Sequence, residues 1–270
     1  MRITFIGGGN MARALIGGLV AQGYAASEMQ VVEPHAASRE RLTAAYALRS
    51  VEIVDATAMD CDMLVLAVKP QQMREALQLL SGKLTRQLVV SIAAGLRLHD
   101  ISRWLGGYRQ LVRTMPNMAA FVGKSITGLY ADPSVSQSAR HDAENLMNAV
   151  GASLWLEDEA QMDAVTAISG SGPAYVFYFI EAMEAAAIQL GFDAVAARKL
   201  TIETFLGAAD LANQNAESIS TLRQQVTSKG GTTEAALNSF ASNNVADAIG
   251  SGSAAAAARG RQIGDLLGQD

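Results

Sequence analysis

Ile3-Thr4-Phe5-Ile6-Gly7-Gly8-Gly9-Asn10-Met11-Ala12 runs from an apolar tetrad through three glycines into a helical pattern carried by Ala14, Leu15, Gly18 and Leu19. The order is strand, glycine turn, helix. Gly7, Gly9 and Ala12 hold the G-x-G-x-x-G/A spacing of a dinucleotide-binding turn, with Asn10 and Met11 inside it. Gly7 permits the tight turn, Gly9 lets the backbone approach a pyrophosphate, and Ala12 lets the helix lie close to the strand. A plain glycine turn is the competing reading, and the residues that follow weigh against it.

Residues 29–33 read as a second strand, with Glu33 about twenty residues past the glycines, where an acidic side chain takes the ribose 2′-OH of NAD. A 2′-phosphate would be repelled there, but His35, Ser38 and Arg39 follow at once and suit a phosphate, so the choice between NAD and NADP stays open. Residues 62–68 form an almost continuous apolar run, as in a strand buried on both faces, and it stops at Lys69-Pro70. Further strands are expected at 88–92, leading into Ala93-Ala94-Gly95, and at 109–115, leading into Pro116-Asn117. Helices alternate with these strands, which predicts a parallel sheet whose connecting turns face one ligand crevice. Strands at 125–130 and 153–156 are expected to flank a helix at 136–150 that Gly151 closes. His99 and His141 show no partner in the sequence and read as structural or solvated.

From Glu157 onward strand signals stop. Helices are expected at 162–190, interrupted by Ser169-Gly170-Ser171-Gly172-Pro173, and at 193–214, 218–225, 233–242 and 245–267. So few charges fall between Met162 and Ile180 that the helices are expected to be completed by a second subunit. The fold class is therefore α/β: a Rossmann-type parallel-sheet domain over 1–157 and an all-α dimerisation domain over 158–270.

One segment of the helical half stands out: Val226-Thr227-Ser228-Lys229-Gly230-Gly231-Thr232-Thr233-Glu234. Gly230 and Gly231 leave the backbone open, Ser228, Thr232 and Thr233 add hydroxyls, and a helix follows. Such a stretch suits a carboxylate. It is equally a simple helix start in which Thr232 or Thr233 caps.

Composition narrows the classes. A net charge of −5 and a pI near 5.3 argue against a general nucleic-acid binder. One cysteine and three histidines give no metal-ligand spacing, and no disulfide can form within the chain. No signal-peptide core opens the chain, and Gly170, Gly172, Pro173, Glu181 and Glu184 interrupt the apolar run over 162–192. A soluble cytoplasmic protein without a membrane partner is the expectation.

The segments Phe5-Ile6-Gly7-Gly8-Gly9-Asn10-Met11, Ala67-Val68-Lys69-Pro70-Gln71, Arg113-Thr114-Met115-Pro116-Asn117, Ser169-Gly170-Ser171-Gly172-Pro173-Ala174-Tyr175 and Val226-Thr227-Ser228-Lys229-Gly230-Gly231-Thr232-Thr233 resemble those of the pyrroline-5-carboxylate reductase family, in order and over the whole chain. The resemblance implies reduction of 1-pyrroline-5-carboxylate to L-proline with NADPH or NADH, the last step of proline biosynthesis. It implies a homodimer interlocked through the C-terminal helices, often a pentamer of dimers, with each active site between one subunit's cofactor crevice and its partner's Gly-Gly-Thr-Thr segment. Ser228 and the segment Gly230, Gly231, Thr232 and Thr233 would bind the substrate carboxylate. The Thr233 hydroxyl would lie near the ring nitrogen, and Glu159 matches a substrate-site acidic residue. Ala67, Val68, Lys69, Pro70, Ala93, Ala94 and Asn117 would line the cofactor, with Ala94 and Asn117 near the nicotinamide.

Three positions depart from that pattern. Lys229 replaces a proline, Val54 replaces an asparagine for the cofactor ribose, and Glu33-Pro34 replaces residues suited to NADP. The alternatives are a two-domain dehydrogenase of the β-hydroxyacid type and a non-catalytic dinucleotide-binding regulator. The first needs a lysine that 162–192 lacks. The second has no need of an intact Gly-Gly-Thr-Thr segment.

Overall fold

The structure is a computed structural model that describes residues 1–269; Asp270, the last residue of the expected helical domain, lies outside them. The chain runs β1 (Ile3–Ile6), α1 (Asn10–Ala21), β2 (Met29–Val32), α2 (Ala36–Tyr46), β3 (Arg49–Val51), α3 (Ala56–Met59), β4 (Met63–Leu66), α4 (Met73–Gln78), β5 (Leu88–Ser91), α5 (Leu98–Trp104), β6 (Leu111–Met115), β7 (Ser125–Ala131), α6 (Gln137–Asn148) and β8 (Gly151–Trp155). Helices follow from there: α7 (Gln161–Val165), a π-helical turn over Thr166–Gly170, then α8 (Gly172–Gln189), α9 (Ala194–Gln214), α10 (Ile219–Gln225), α11 (Thr232–Ser242) and α12 (Val245–Leu267). The helix over 162–190 is thus broken where Gly170 and Pro173 were expected to break it.

All the strands form one sheet in the order β3-β2-β1-β4-β5-β6-β7-β8. β1 lies between β2 and β4, both parallel to it, so the strand order reverses there. Side chains alternate between two cores: Ile3, Phe5, Met63 and Val65 enter one, and Ile6, Leu64 and Leu66 enter the other. This is why β1 and β4 read as unbroken apolar runs. β7 alone runs antiparallel to its neighbour β6. The link over 116–124 is short, whereas a parallel return needs a crossover of about a dozen residues.

Two short elements, β3 and α3, carry no apolar run to mark them. β3 is a half-exposed sheet edge, Arg49-Ser50-Val51, and α3 is one turn capped by the Asp55 carboxylate, which accepts the Ala58 N–H at 2.7 Å. That bond and the adjacent Arg49 guanidinium hold the Asp55 carboxyl below its ordinary pKa. Cys61 is buried, and burial pushes its thiol pKa up, so the thiol is unreactive.

Gly151 corrects an expectation. It does not close α6, which ends at Asn148 with Ala149 as its cap. It opens β8, with φ at +153°, where a Cβ would lie 2.0 Å from the Ser125 carbonyl oxygen. The chain passes directly from α6 into a strand paired with β7, and only glycine fits that close approach.

The chain divides into two compact units. One comprises Met1–Ser171 with the chain from Ala256 onward; the other is Gly172–Ala255. In the first, α7 lies under β7, with Val165 where a Cβ on Gly128 would be. The C-terminal part of α12 closes the second core through Leu267 and Gly264, the latter against the Gly95 carbonyl. In the second, α8 packs on α9, burying Ala197 and Thr201. Among the described residues no helix is long and apolar enough to cross a membrane.

The Gly151 contact predicts that Gly151→Ala destabilises the protein by about 3 kcal/mol, the upper range for forced overpacking. Urea denaturation measures it, and a midpoint equal to the parent's would show that the β7–β8 junction yields freely.

Candidate active site

The first site lies where the parallel strands end. Gly7, Glu33, Ala67 and Ile92 each follow the last residue of a strand, β1, β2, β4 and β5, on one edge of the sheet. Gly7 has φ at +101°, and a Cβ there would lie 2.8 Å from the Ala67 carbonyl carbon and oxygen. Its N–H donates to the Val32 carbonyl at 2.8 Å, and Ala67 N–H donates to Ile6 at 2.8 Å, so the ladder continues one residue beyond the strands. Gly8 N–H donates to the Glu33 carboxylate at 2.8 Å. Gly9 is the N-cap of α1 and no side chain caps the helix. The first bond into the helix is Arg13 N–H to Gly9 O at 3.0 Å, which leaves the N–H groups of Asn10, Met11 and Ala12 ahead of it. Gly9 and Asn10 are exposed, Ala12 is buried, and the place of a Gly9 Cβ is open apart from the Ala67 oxygen at 3.9 Å. Uncapped N–H groups at the positive end of a helix form an anion cradle, and it fits a pyrophosphate.

Glu33 is buried at 7 % exposure. Besides Gly8, it accepts the His35 N–H at 2.9 Å. After β4, Lys69 is exposed and Ala67, Val68 and Pro70 are half-buried. Ala93 is buried and Ala94 half-buried after β5. Gly95, at φ +84°, carries the turn into α5.

Asn117 is buried, and its side chain is committed. Its amide donates to the carbonyl and hydroxyl of Ser169, each at 3.1 Å, and its oxygen accepts the Ala119 N–H at 3.0 Å. Asn117 therefore holds the π-turn to the end of β6. Glu159 has a comparable role. Its Oε1 accepts the Leu98 N–H at 2.8 Å and the guanidinium of Arg113 at 2.9 Å, where Arg113 is 3 % exposed. A carboxylate facing a buried arginine satisfies a cation that would be costly alone. Its other oxygen takes no hydrogen bond among the described residues. Arg113 and Ser169 are the residues that the sequence did not single out for a role. Their partners are 46 and 52 positions away, beyond any local signal.

The histidines do have partners, which corrects the reading of them as partnerless. His99 Nε2 lies 3.1 Å from the Asp100 carboxylate, and His141 Nδ1 lies 3.8 Å from Glu144. Both imidazoles are exposed.

The second site is the start of α11, in the helical unit. Its N-cap is Gly231, not Thr232 or Thr233, and no side chain caps it. Gly230 takes φ +71°, its N–H donates to Glu234 at 2.7 Å, and Gly231 N–H closes the turn on Ser228 O at 3.0 Å. A Cβ on Gly231 would sit 2.4 Å from the Ser228 hydroxyl. Thr232 is the first helical residue, so its N–H and that of Thr233 precede the first helical bond, Ala235 N–H to Gly231 O. The hydroxyls of Ser228, Thr232 and Thr233 make no hydrogen bond among the described residues. Lys229 is exposed on the same turn. Open N–H groups, three free hydroxyls and one nearby ammonium suit a small carboxylate.

Comparison with known proteins identifies the family. Residues 159–263 match the family model for pyrroline-5-carboxylate reductase dimerisation, and residues 2–95 match that for NADP oxidoreductase, coenzyme F420-dependent. The chain is 44 % identical to a pyrroline-5-carboxylate reductase of Pseudomonas aeruginosa, over 99 % of this chain and 98 % of that one. A solved pyrroline-5-carboxylate reductase of Coxiella burnetii superposes with a TM-score of 0.92 at 38 % identity, covering 97 % of this chain and 98 % of the other. A Plasmodium falciparum pyrroline carboxylate reductase with NADP bound superposes with a TM-score of 0.86 at 25 % identity, covering 98 % of each. With identity at that level over nearly its full length, the chain belongs to the pyrroline-5-carboxylate reductase family.

Proposed function

We propose that the protein reduces 1-pyrroline-5-carboxylate to L-proline with NADPH or NADH, completing proline biosynthesis in the cytoplasm. The observation that carries this reading is the pair of uncapped glycine helix starts, one at the end of β1 and one at α11, within a chain of this family. The division of labour is a dinucleotide-binding domain over 1–157 and a substrate-binding and dimerisation domain over 158–270.

The N–H groups of Gly9, Asn10, Met11 and Ala12 hold the pyrophosphate, with Gly7 making the approach possible. Glu33 faces the adenosine ribose. Ala67, Val68, Lys69, Pro70, Ala93 and Ala94 line the remainder of the crevice, and Asn117 supports its floor. The bound dinucleotide supplies the hydride. The protein's part is alignment. Ser228 and the N–H groups of Thr232 and Thr233 hold the carboxylate as a handle, with Gly230 and Gly231 giving the turn its shape, and Lys229 adds a nearby positive charge. The Thr233 hydroxyl orients the ring nitrogen and passes it a proton from water where the imine enters neutral. The free oxygen of Glu159 faces the substrate side. No strongly acidic group is required, because an iminium accepts hydride without one.

Subunits pair through the C-terminal helices. Phe177, Tyr178, Val195, Leu206 and Leu211 stand exposed on α8 and α9, a larger apolar surface than a solitary helical unit keeps in water. The cradle at Ser228 to Thr233 serves the partner's cofactor crevice, and five such dimers form a ring.

Oxidation of NADH and of NADPH, followed spectrophotometrically with pyrroline-5-carboxylate, tests the reaction; no oxidation of either rejects it. Thr233→Ala is expected to lower kcat/KM by about 10²-fold, the low end for a positioned proton-transfer group, while Thr233→Ser keeps most of it. Wild-type kinetics in Thr233→Ala would remove that hydroxyl from the mechanism. Ala174→Arg, placed near the start of α8, is expected to give an inactive monomer by sedimentation velocity. A fully active monomer would rule out the shared site.

A further inference from the structure

We propose that Glu33 makes this protein selective for NADH over NADPH, an inference that rests on the dinucleotide reading of the glycine turn. Glu33 is fixed from several directions. Its own N–H donates to Val51 O at 2.8 Å, its Oε2 accepts the Gly8 N–H at 2.8 Å, and its Oε1 accepts the His35 N–H at 2.9 Å. It is 7 % exposed, and a Cβ on Gly8 would lie 3.3 Å from its Oε2. The side chain cannot swing away from the glycine turn without breaking two hydrogen bonds.

Each oxygen of a carboxylate accepts along two lone-pair directions, so each retains one after its backbone bond. A ribose hydroxyl is a donor and completes that set. A 2′-phosphate brings two negative charges and no donor to a carboxylate that cannot move. Selectivity for NADPH would therefore need a cation to offset the clash.

The residues that suited a phosphate in the sequence are otherwise committed. Arg39 points its Nη1 back at the carbonyls of Glu33 and Pro34, each at 2.7 Å, and its Nη2 faces Glu52 at 3.5 Å. Ser38 accepts from Arg41 at 3.2 Å, and Arg41 also donates to Ala37 O at 3.1 Å. Neither guanidinium presents the open fork that grips a phosphate. The His35 backbone N–H is already held by Glu33. The first turn of α2 is thus built around the Glu33 carboxylate and not around a phosphate.

Titration of the full-length protein with NADH and with NADPH, read by quenching of intrinsic fluorescence, tests this without turnover. NADH is expected to bind about 10²-fold more tightly, the scale of one close like-charge contact. Glu33→Gln, with folding checked by its melting temperature, is expected to narrow that ratio at least tenfold. Arg39→Ala is expected to leave the ratio unchanged, and this arm decides even if Glu33→Gln fails to fold. Equal affinities in the wild type, tighter NADPH binding, or a selective loss of NADPH affinity in Arg39→Ala would overturn the proposal. Failure to bind either dinucleotide would instead remove the reading of the glycine turn on which it rests.

Discussion

A Cβ on Gly7 would lie 2.8 Å from the backbone of Ala67, and much of the sheet unit follows from that contact. β1 and β4 run side by side in register, Ile6 opposite Leu66, and both ladders continue one step into the turns. The two chains are then so close that only a glycine at φ +101° can turn away between them. Once Gly7 turns, Gly8 is directed to Glu33 at the end of β2. Gly9 is left as the start of α1, with its following N–H groups facing outward. Three neighbouring strands thus set the position of these N–H groups, two through backbone contact and β2 through the Glu33 carboxylate as well.

The sequence announced this arrangement because its parts are local. A buried parallel strand is an apolar run, and its end is a glycine or proline, so β1, β2, β4, β5 and β6 were legible from 3–6, 29–33, 62–68, 88–92 and 109–115. The helices α9 and α10 were legible together with their caps: Asp193 and Ser218 accept the N–H three residues on, as such residues do. β3 was not legible, because Arg49-Ser50-Val51 is a half-exposed edge whose only requirement is backbone pairing with β2. Gly151 was misleading for a related reason. A glycine after a helix reads as a cap, and only the distant Ser125 backbone makes it a strand residue.

Site residues divide along the same line. The glycine turn and the Gly230-Gly231 turn are continuous stretches and show themselves. Glu159 and Asn117 were legible only as members of a family pattern, and the structure gives each a physical task. Glu159 neutralises the buried Arg113 and holds the first N–H of α5, so it joins β6 to the turn that follows β5. Asn117 joins the end of β6 to the π-turn through Ser169. Both lie in loops beyond the ends of strands, where no ladder holds the chain. A polar side chain bonded to two loops replaces that ladder, and its partners cannot be read from spacing.

The two cradles share a further property. α3, α6, α9 and α10 begin with an Asp or Ser whose side chain accepts a helix N–H. α2, α4, α5 and α7 have no such acceptor either, but only α1 and α11 among the helices with a described N-cap start from a glycine, Gly9 and Gly231, which leaves the N–H groups unshielded. Giving up a side-chain cap for glycine costs roughly a few tenths of a kcal/mol per helix. A serine or aspartate at either position would recover that, but its oxygen would occupy the place an anion needs. An anion bound at such a helix start would take the place of the cap and stabilise the fold by mass action. At α11 the point is sharper, because Ser228, Thr232 and Thr233 stand within the same turn and none of their hydroxyls closes on it. Hydroxyls beside an uncapped helix are the least costly groups to hold in readiness, since water satisfies them until a carboxylate replaces it.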